Sequence, residues 1–145
     1  MAKILIVDDD PDMRPLIRLT LAKLGHQPSL AATGTEGLRM AVCSNAVRDT
    51  VELMLERSGL MPHCEFVISN EDVTLPKPAP EIYEAAIRRM NLLPAQVLVV
   101  EDAPHGVTAA RRSGANVCQV SGFPDVDYWR IRACIDEIER QAPTC

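Results

Sequence analysis

Three short apolar runs, each cut off by acids or a hydroxyl, constrain this chain more than any other feature. Ile4–Val7 is closed by Asp8, Asp9 and Asp10, Met40–Cys43 by Ser44 and Asn45, and Val97–Val100 by Glu101 and Asp102. Continuous apolar runs of this length suit strands covered on both faces, because a strand with one wet face alternates instead. Between the runs, apolar residues recur at helical spacing. Met13, Leu16, Ile17, Leu21 and Leu24 lead to a stop at Gly25; Val47, Val51 and Leu55 mark a second helix, and Ile82, Ala86, Ile87 and Met90 a third. Phe66–Ile68 and Asn116–Val120 read as further strands, and Pro104–Ser113 as another helix. Tyr128, Ile131, Ile135 and Ile138 form the packing stripe of a closing helix. A weaker strand falls at Pro28–Ala32, before a short helix around Glu36–Arg39. Pro76, Pro78 and Pro80 are expected to keep the segment around Lys77 extended.

Strands alternating with helices predict an α/β fold. The expectation is one doubly wound, mostly parallel sheet of five or six strands, a Rossmann-like three-layer sandwich without a cap domain. At 145 residues, 1–145 reads as a single domain.

Charge narrows the partners. With 15 Lys and Arg against 20 Asp and Glu the formal charge is −5, and no basic run is present. That argues against a nucleic acid held by phosphate neutralisation, and points to a small molecule or a protein. No stretch approaches the roughly 18 apolar residues of a membrane helix, so no membrane partner and a cytoplasmic location are expected. The five cysteines are odd in number and scattered, without a CxxC pair, which suits reduced thiols.

In parallel α/β sheets, ligands collect beyond the carboxyl ends of the strands. Asp8 and Asp10, two positions apart, would point the same way from an extended strand end. Crowded carboxylates repel, and a divalent cation compensates them; hard oxygen donors favour Mg²⁺. Glu101 and Asp102, at another strand exit, would complete the metal site, Asp102 directly or through water. Ser44, with the amides that follow it at Asn45 and beyond, is placed to meet an anion at a helix N-terminus. Lys77, restrained between two prolines, would balance a carboxylate and a phosphoryl group. Together these residues suit phosphoryl transfer through an aspartyl phosphate, with Asp8 as nucleophile, Asp10 as acid and base, and Mg²⁺ and Lys77 offsetting charge. Each feature alone also suits a solvated turn or a helix cap, and His63 and His105 read as surface or capping residues.

From Ala41 to about Val120 the chain resembles the haloacid-dehalogenase-like hydrolases, especially the branch of phosphoglycolate phosphatase and beta-phosphoglucomutase. The matching words are Val42-Cys43-Ser44-Asn45, Val67 to Val73, Lys77-Pro78-Ala79-Pro80-Glu81-Ile82-Tyr83, Val99 to Val107, and Ser113-Gly114-Ala115. The resemblance implies a phosphate-contacting Ser44, a charge-balancing Lys77, and acidic metal support from Glu101 and Asp102. It also sets Asp8 and Asp10 on the family's DxD motif, although Pro11-Asp12 stands where the family carries Gly-Thr or Gly-Val. Only 34 positions separate Asp10 from Ser44. That is too few for the helical cap inserted there in this branch, so a second copy or a protein partner is expected to cover the site.

Residues 3 to about 39 resemble instead the receiver domains of response regulators, through Lys3 to Asp10, Pro11, Met13, Arg14, Leu24-Gly25-His26 and Ala32 to Leu38. In that alignment Asp8 and Asp9 bind Mg²⁺, while Ser44-Asn45 stands where the phosphoacceptor Asp belongs. The leading expectation is a Mg²⁺-dependent hydrolase of a phosphate monoester, acting on a phosphorylated small molecule or a phosphoprotein. The alternative is a non-enzymatic, receiver-like signalling or protein-interaction domain.

Overall fold

The computed structural model of the protein describes residues 4–7, 39–121 and 128–141. Among the described residues there are five strands, β1 (Ile4–Val7), β2 (Arg39–Cys43), β3 (Phe66–Ile68), β4 (Val97–Glu101) and β5 (Asn116–Gln119). The helices are α1 (Arg48–Ser58), α2 (Glu81–Met90), α3 (Pro104–Arg112) and α4 (Tyr128–Gln141). Strand order is β3-β2-β1-β4-β5, and every pairing is parallel.

Successive strand residues point to opposite faces, and both faces are covered. On one side Val42, Val67, Leu98, Val100 and Cys118 pack with Val51 and Leu55 of α1 and with Ile131, Ile135 and Ile138 of α4. On the other, Ala41, Cys43, Ile68, Val97 and Val99 pack with Ile82, Tyr83, Ala86 and Ile87 of α2 and with Ala109 and Ala110 of α3. Each large aliphatic side chain buried this way contributes about 1.5–3 kcal/mol. This double coverage is why the strands read as unbroken apolar runs.

The expected doubly wound sheet of five or six mostly parallel strands needs correcting. The strands form two small parallel pairs, β2–β3 and β4–β5, that do not bond to one another and are joined only through the four-residue β1. No sixth strand and no antiparallel pairing occurs among the described residues. The cause is the winding. The chain steps outward from β2 to β3 over α1, and outward from β4 to β5 over α3 on the opposite face, so each pair carries its own crossover.

The proline-rich segment is also different from expectation. The N–H of Ala79 donates to the carbonyl of Pro76 at 3.0 Å, closing a turn around Lys77 and Pro78, whose peptide bond is cis. Pro80, with ψ −6°, is already helical and leads into α2. Proline fixes φ but leaves ψ open to either conformation. The helix read over 13–24 and the strand over 28–32 lie outside the described residues, and Arg39, read as a helix end, begins β2.

Among the described residues no disulfide joins Cys43, Cys64, Cys118 or Cys134, and Cys145 lies outside them. Burial pushes the Cys64 thiol up to about 11 and that of Cys118 up to about 12. No helix among the described residues is long and apolar enough to cross a membrane.

Candidate active site

The carboxyl ends of β2, β1 and β4 lie side by side. Val7 pairs with Val42 on one side and with Val100 on the other, so β2 and β4 each run one residue further, to Cys43 and Glu101. The direction of winding reverses here, which is where parallel α/β sheets open a ligand crevice.

Lys77 reaches this edge from the turn before α2. Its side chain is 5% exposed, and Nζ donates to Glu101 Oε2 at 3.0 Å and to the carbonyl of Cys43 at 3.3 Å. Because β1 lies between β2 and β4, an ammonium bonded to the end of each spans the end of β1. The residue following Val7 in the sequence is Asp8; Asp8, Asp9 and Asp10 themselves lie outside the described residues.

Glu101 is fully buried on the α2 and α3 side of β4. Its Oε1 accepts the backbone N–H groups of Asp102 and Ala103, both at 3.2 Å, and its Oε2 accepts from Lys77 and, at 2.5 Å, from the Tyr83 hydroxyl. A buried carboxylate needs such compensation, because desolvation of an unpaired charge costs several kcal/mol. The Lys77 ammonium also lies 5.0 Å from the centre of the Tyr83 ring, within cation–π range. The structure thus places Glu101 against Lys77. Asp102, half-buried, follows it at the same strand exit.

Ser44 is fully buried at the end of β2; its N–H bonds the carbonyl of Ile68 at 2.9 Å, and its Oγ accepts the N–H of Ala46 at 3.0 Å. The expectation that Ser44 sits at a helix N-terminus needs correcting. Helix α1 begins four residues later, at Arg48, behind Val47. The N–H of Arg48 is taken by Glu71 Oε2 at 2.7 Å, so a carboxylate of this chain already meets the positive end of the helix. These bonds hold Ser44 at the strand exit, with Asn45 exposed beside it.

Glu71 belongs to the short 3₁₀ turn Asn70–Asp72, capped by the buried Ser69, whose N–H donates to Asp72 Oδ2 at 2.8 Å. Asp72 also receives the Arg48 guanidinium. Arg48, and then the Ser69 N–H, hold the Asp72 carboxyl below the usual carboxylate range. His105 is exposed in the first turn of α3. Among the described residues no group of three His, Cys, Asp or Glu is set to hold a metal ion.

Three contributors were not singled out from the sequence. Tyr83 enters the sequence reading only as the last residue of the family-like word Lys77–Tyr83, yet a buried phenol needs a hydrogen-bond partner, and that requirement was the available signal. Gly106 lies directly against Glu101. Glu81, the first residue of α2, accepts the N–H groups of Thr74 and Leu75, both at 2.8 Å, and so clasps the loop that delivers Lys77. These two bonds hold the Glu81 carboxyl below its ordinary range. A lowered folded-state pKa contributes stability above the unfolded value, lost as pH falls through the folded one. The difference in Tm between the wild type and Glu81→Gln is therefore expected to be fully developed at pH 7 and to shrink as pH falls below the ordinary glutamate range; thermal melts across that range check it.

The model of the family "Haloacid dehalogenase-like hydrolase" matches residues 24–120, about two thirds of the sequence, and the chain belongs to that family. It is 37% identical over 75 residues to validoxylamine A 7'-phosphate phosphatase of Streptomyces hygroscopicus subsp. limoneus, an alignment covering 52% of this chain and 35% of that protein. It is 29% identical over 112 residues to the fructose-1-phosphate phosphatase YqaB of Escherichia coli K12, covering 77% and 54%. The chain thus spans about a third to a half of the length of these curated relatives. The fold is similar to that of CbbY from Rhodobacter sphaeroides, solved in complex with phosphate, with a TM-score of 0.63, 19% identity, and coverage of 85% of this chain and 88% of that one. The family match begins at residue 24, inside the segment likened to receiver domains, and nothing in these comparisons supports a separate receiver-like segment.

Proposed function

We propose that the chain carries the phosphoryl-transfer core of a Mg²⁺-dependent phosphate monoester hydrolase that works through an aspartyl phosphate on Asp8. The observation that carries this reading is the buried Lys77 ammonium, bonded to the ends of both β2 and β4 and so spanning the end of the strand that leads to Asp8. A buried cation at a strand-end crevice suits the charge that builds on a transferring phosphoryl group. The names of two relatives, phosphatases of a 7'-phosphate and of fructose 1-phosphate, support the same class of substrate.

In this reading a carboxylate oxygen of Asp8 attacks phosphorus, forming the acyl phosphate as the bond to the leaving oxygen breaks. Asp10 gives that oxygen its proton, then takes one from the water that hydrolyses the intermediate. Lys77 offsets charge throughout, and Ser44 and Asn45 contact the phosphate. Carboxylate oxygens suit Mg²⁺; Asp8, Asp10 and Asp102 would hold it, while Glu101, with donors on both oxygens, is left to hold Lys77. The ion supplies Lewis-acid stabilisation of the phosphoryl oxygens when bound. The substrate is a phosphorylated small molecule or a phosphoprotein, and a second copy or a protein partner supplies cover.

The test is phosphate release from p-nitrophenyl phosphate and a panel of sugar phosphates. Release with Mg²⁺, abolished by a chelator and by Asp8→Asn, is expected, together with a beryllium fluoride adduct on Asp8. No release from any ester, with no adduct at Asp8, would overturn the proposal.

A further inference from the structure

We infer that Tyr83 is a positioning residue for Lys77, an assignment that rests on the phosphatase reading above. The hydroxyl of Tyr83 and the ammonium of Lys77 donate to the same oxygen, Glu101 Oε2, at 2.5 and 3.0 Å. The other oxygen is engaged by the amides of Asp102 and Ala103, which tie the carboxylate to the main chain entering α3. The carboxylate therefore cannot swing to follow the lysine. The position of Lys77 depends on how strongly Oε2 draws it.

A carboxylate oxygen offers two lone-pair sites. Tyr83 takes one of them with a bond at the short end of the charge-assisted range, so it is the closer donor and disperses part of the negative charge Lys77 faces. The ammonium remains shared between Glu101 at the end of β4 and the Cys43 carbonyl at the end of β2. Without the hydroxyl, Oε2 can take a second N–H of Lys77 and draw the ammonium toward β4. The cation then leaves its place across the end of β1.

Burial makes this a property of geometry alone. Tyr83, Glu101 and the Lys77 side chain are 0%, 0% and 5% exposed, so bulk water is not at hand to replace a lost donor. The ring itself packs with Ile82, Ala86, Ile87 and Met90 and carries the cation–π contact. Tyr83→Phe keeps the ring and removes only the hydroxyl.

The experiment compares the wild type, Tyr83→Phe, Lys77→Met and the double variant by kcat and KM on p-nitrophenyl phosphate with Mg²⁺, by calorimetric affinity for inorganic phosphate, and by melting temperature. Tyr83→Phe is expected to unfold cooperatively and to lose kcat roughly ten- to hundredfold, the range spanned by a hydrogen bond to a charged group. KM should rise, but by less than kcat falls, since a cation meeting charge that develops in the transition state acts mainly on kcat. Phosphate affinity should weaken on Tyr83→Phe in the wild-type background and stay unchanged in the Lys77→Met background, as it must if Tyr83 acts through Lys77. A kcat within about twofold of wild type, or equal weakening of phosphate binding in both backgrounds, overturns the assignment and leaves Tyr83 a packing residue. Should the wild type release no phosphate from any ester, the phosphatase reading fails first; the role of Tyr83 is then decided by phosphate affinity alone. A wild type that neither hydrolyses an ester nor binds phosphate sinks both.

Discussion

Lys77→Met is expected to abolish the proposed phosphate-ester hydrolysis and to destabilise the protein by about 3–5 kcal/mol, the range for removing one partner of a buried ion pair. The stability loss arises because Glu101 stays behind. It is fully buried, and besides Lys77 the donors among the described residues that hold it, Tyr83 and the amides of Asp102 and Ala103, carry no formal charge. The methionine stem fills most of the space of the lysine, so cavity formation adds little. Urea denaturation of the single variants and of Lys77→Met with Glu101→Gln separates charge from packing. If charge is the cause, the double variant is neutral and more stable than either single one, a coupling that two independent sites would not show. A loss below about 1 kcal/mol for Lys77→Met would match a solvent-exposed pair instead, and would refute the buried cation on which the proposed function depends. Activity and stability should also part company in the double variant, which regains stability without regaining turnover.

The strands closest to this pair were the most legible part of the chain. Met40–Cys43 and Val97–Val100 read as strands because both faces of the sheet are covered, and the structure extends them by only one residue, to Arg39 and Glu101. The helical stripe at Ile82, Ala86, Ile87 and Met90 was equally plain, since all four are buried on one face of α2. What a one-dimensional pattern lacks is pairing across the sheet. It could not show that β2–β3 and β4–β5 are separate pairs meeting through β1, because strand order is fixed by crossovers and not by any run of residues. The receiver likeness found no support, for a related reason. An apolar strand ending in aspartates is common to many doubly wound folds, so such words identify the architecture better than the family.

The site was half legible. Glu101 and Asp102 drew attention as acids that close an apolar run and Lys77 as a cation restrained between two prolines, and the structure joins Lys77 to Glu101 directly. Ser44 does precede a helix, but by four residues, a distance that the apolar stripe beginning at Val47 does not show. Here Val47 and Arg48 begin the helix, and Glu71, brought from 23 residues away, satisfies its first amide. Tyr83 escaped because its partner lies 18 residues further on, in another element.

Gly106→Ala is the second substitution expected to act strongly, and it reverses the usual rule for a glycine inside a helix. Replacing such a glycine by alanine ordinarily gains up to about 1 kcal/mol. In α3 the added Cβ would lie 1.9 Å from Glu101 Oε2, 2.0 Å from its Cδ and 2.6 Å from its Cγ. The end of a flexible side chain could move aside cheaply, but this one is held by Lys77, Tyr83 and two backbone amides. The carboxylate must break those bonds or the helix must lift off the sheet. Overpacking alone costs about 1–3 kcal/mol, and a displaced Glu101 takes Lys77 with it, so hydrolysis is expected to fall by more than about tenfold. The decisive comparison is the same substitution in a background of Lys77→Met with Glu101→Ala, where the obstructing atoms and both charges are gone. There Gly106→Ala should be neutral or slightly stabilising in urea, as helix propensity again dominates. If it destabilises both backgrounds equally, the glycine serves helix packing in general and not the placement of Glu101.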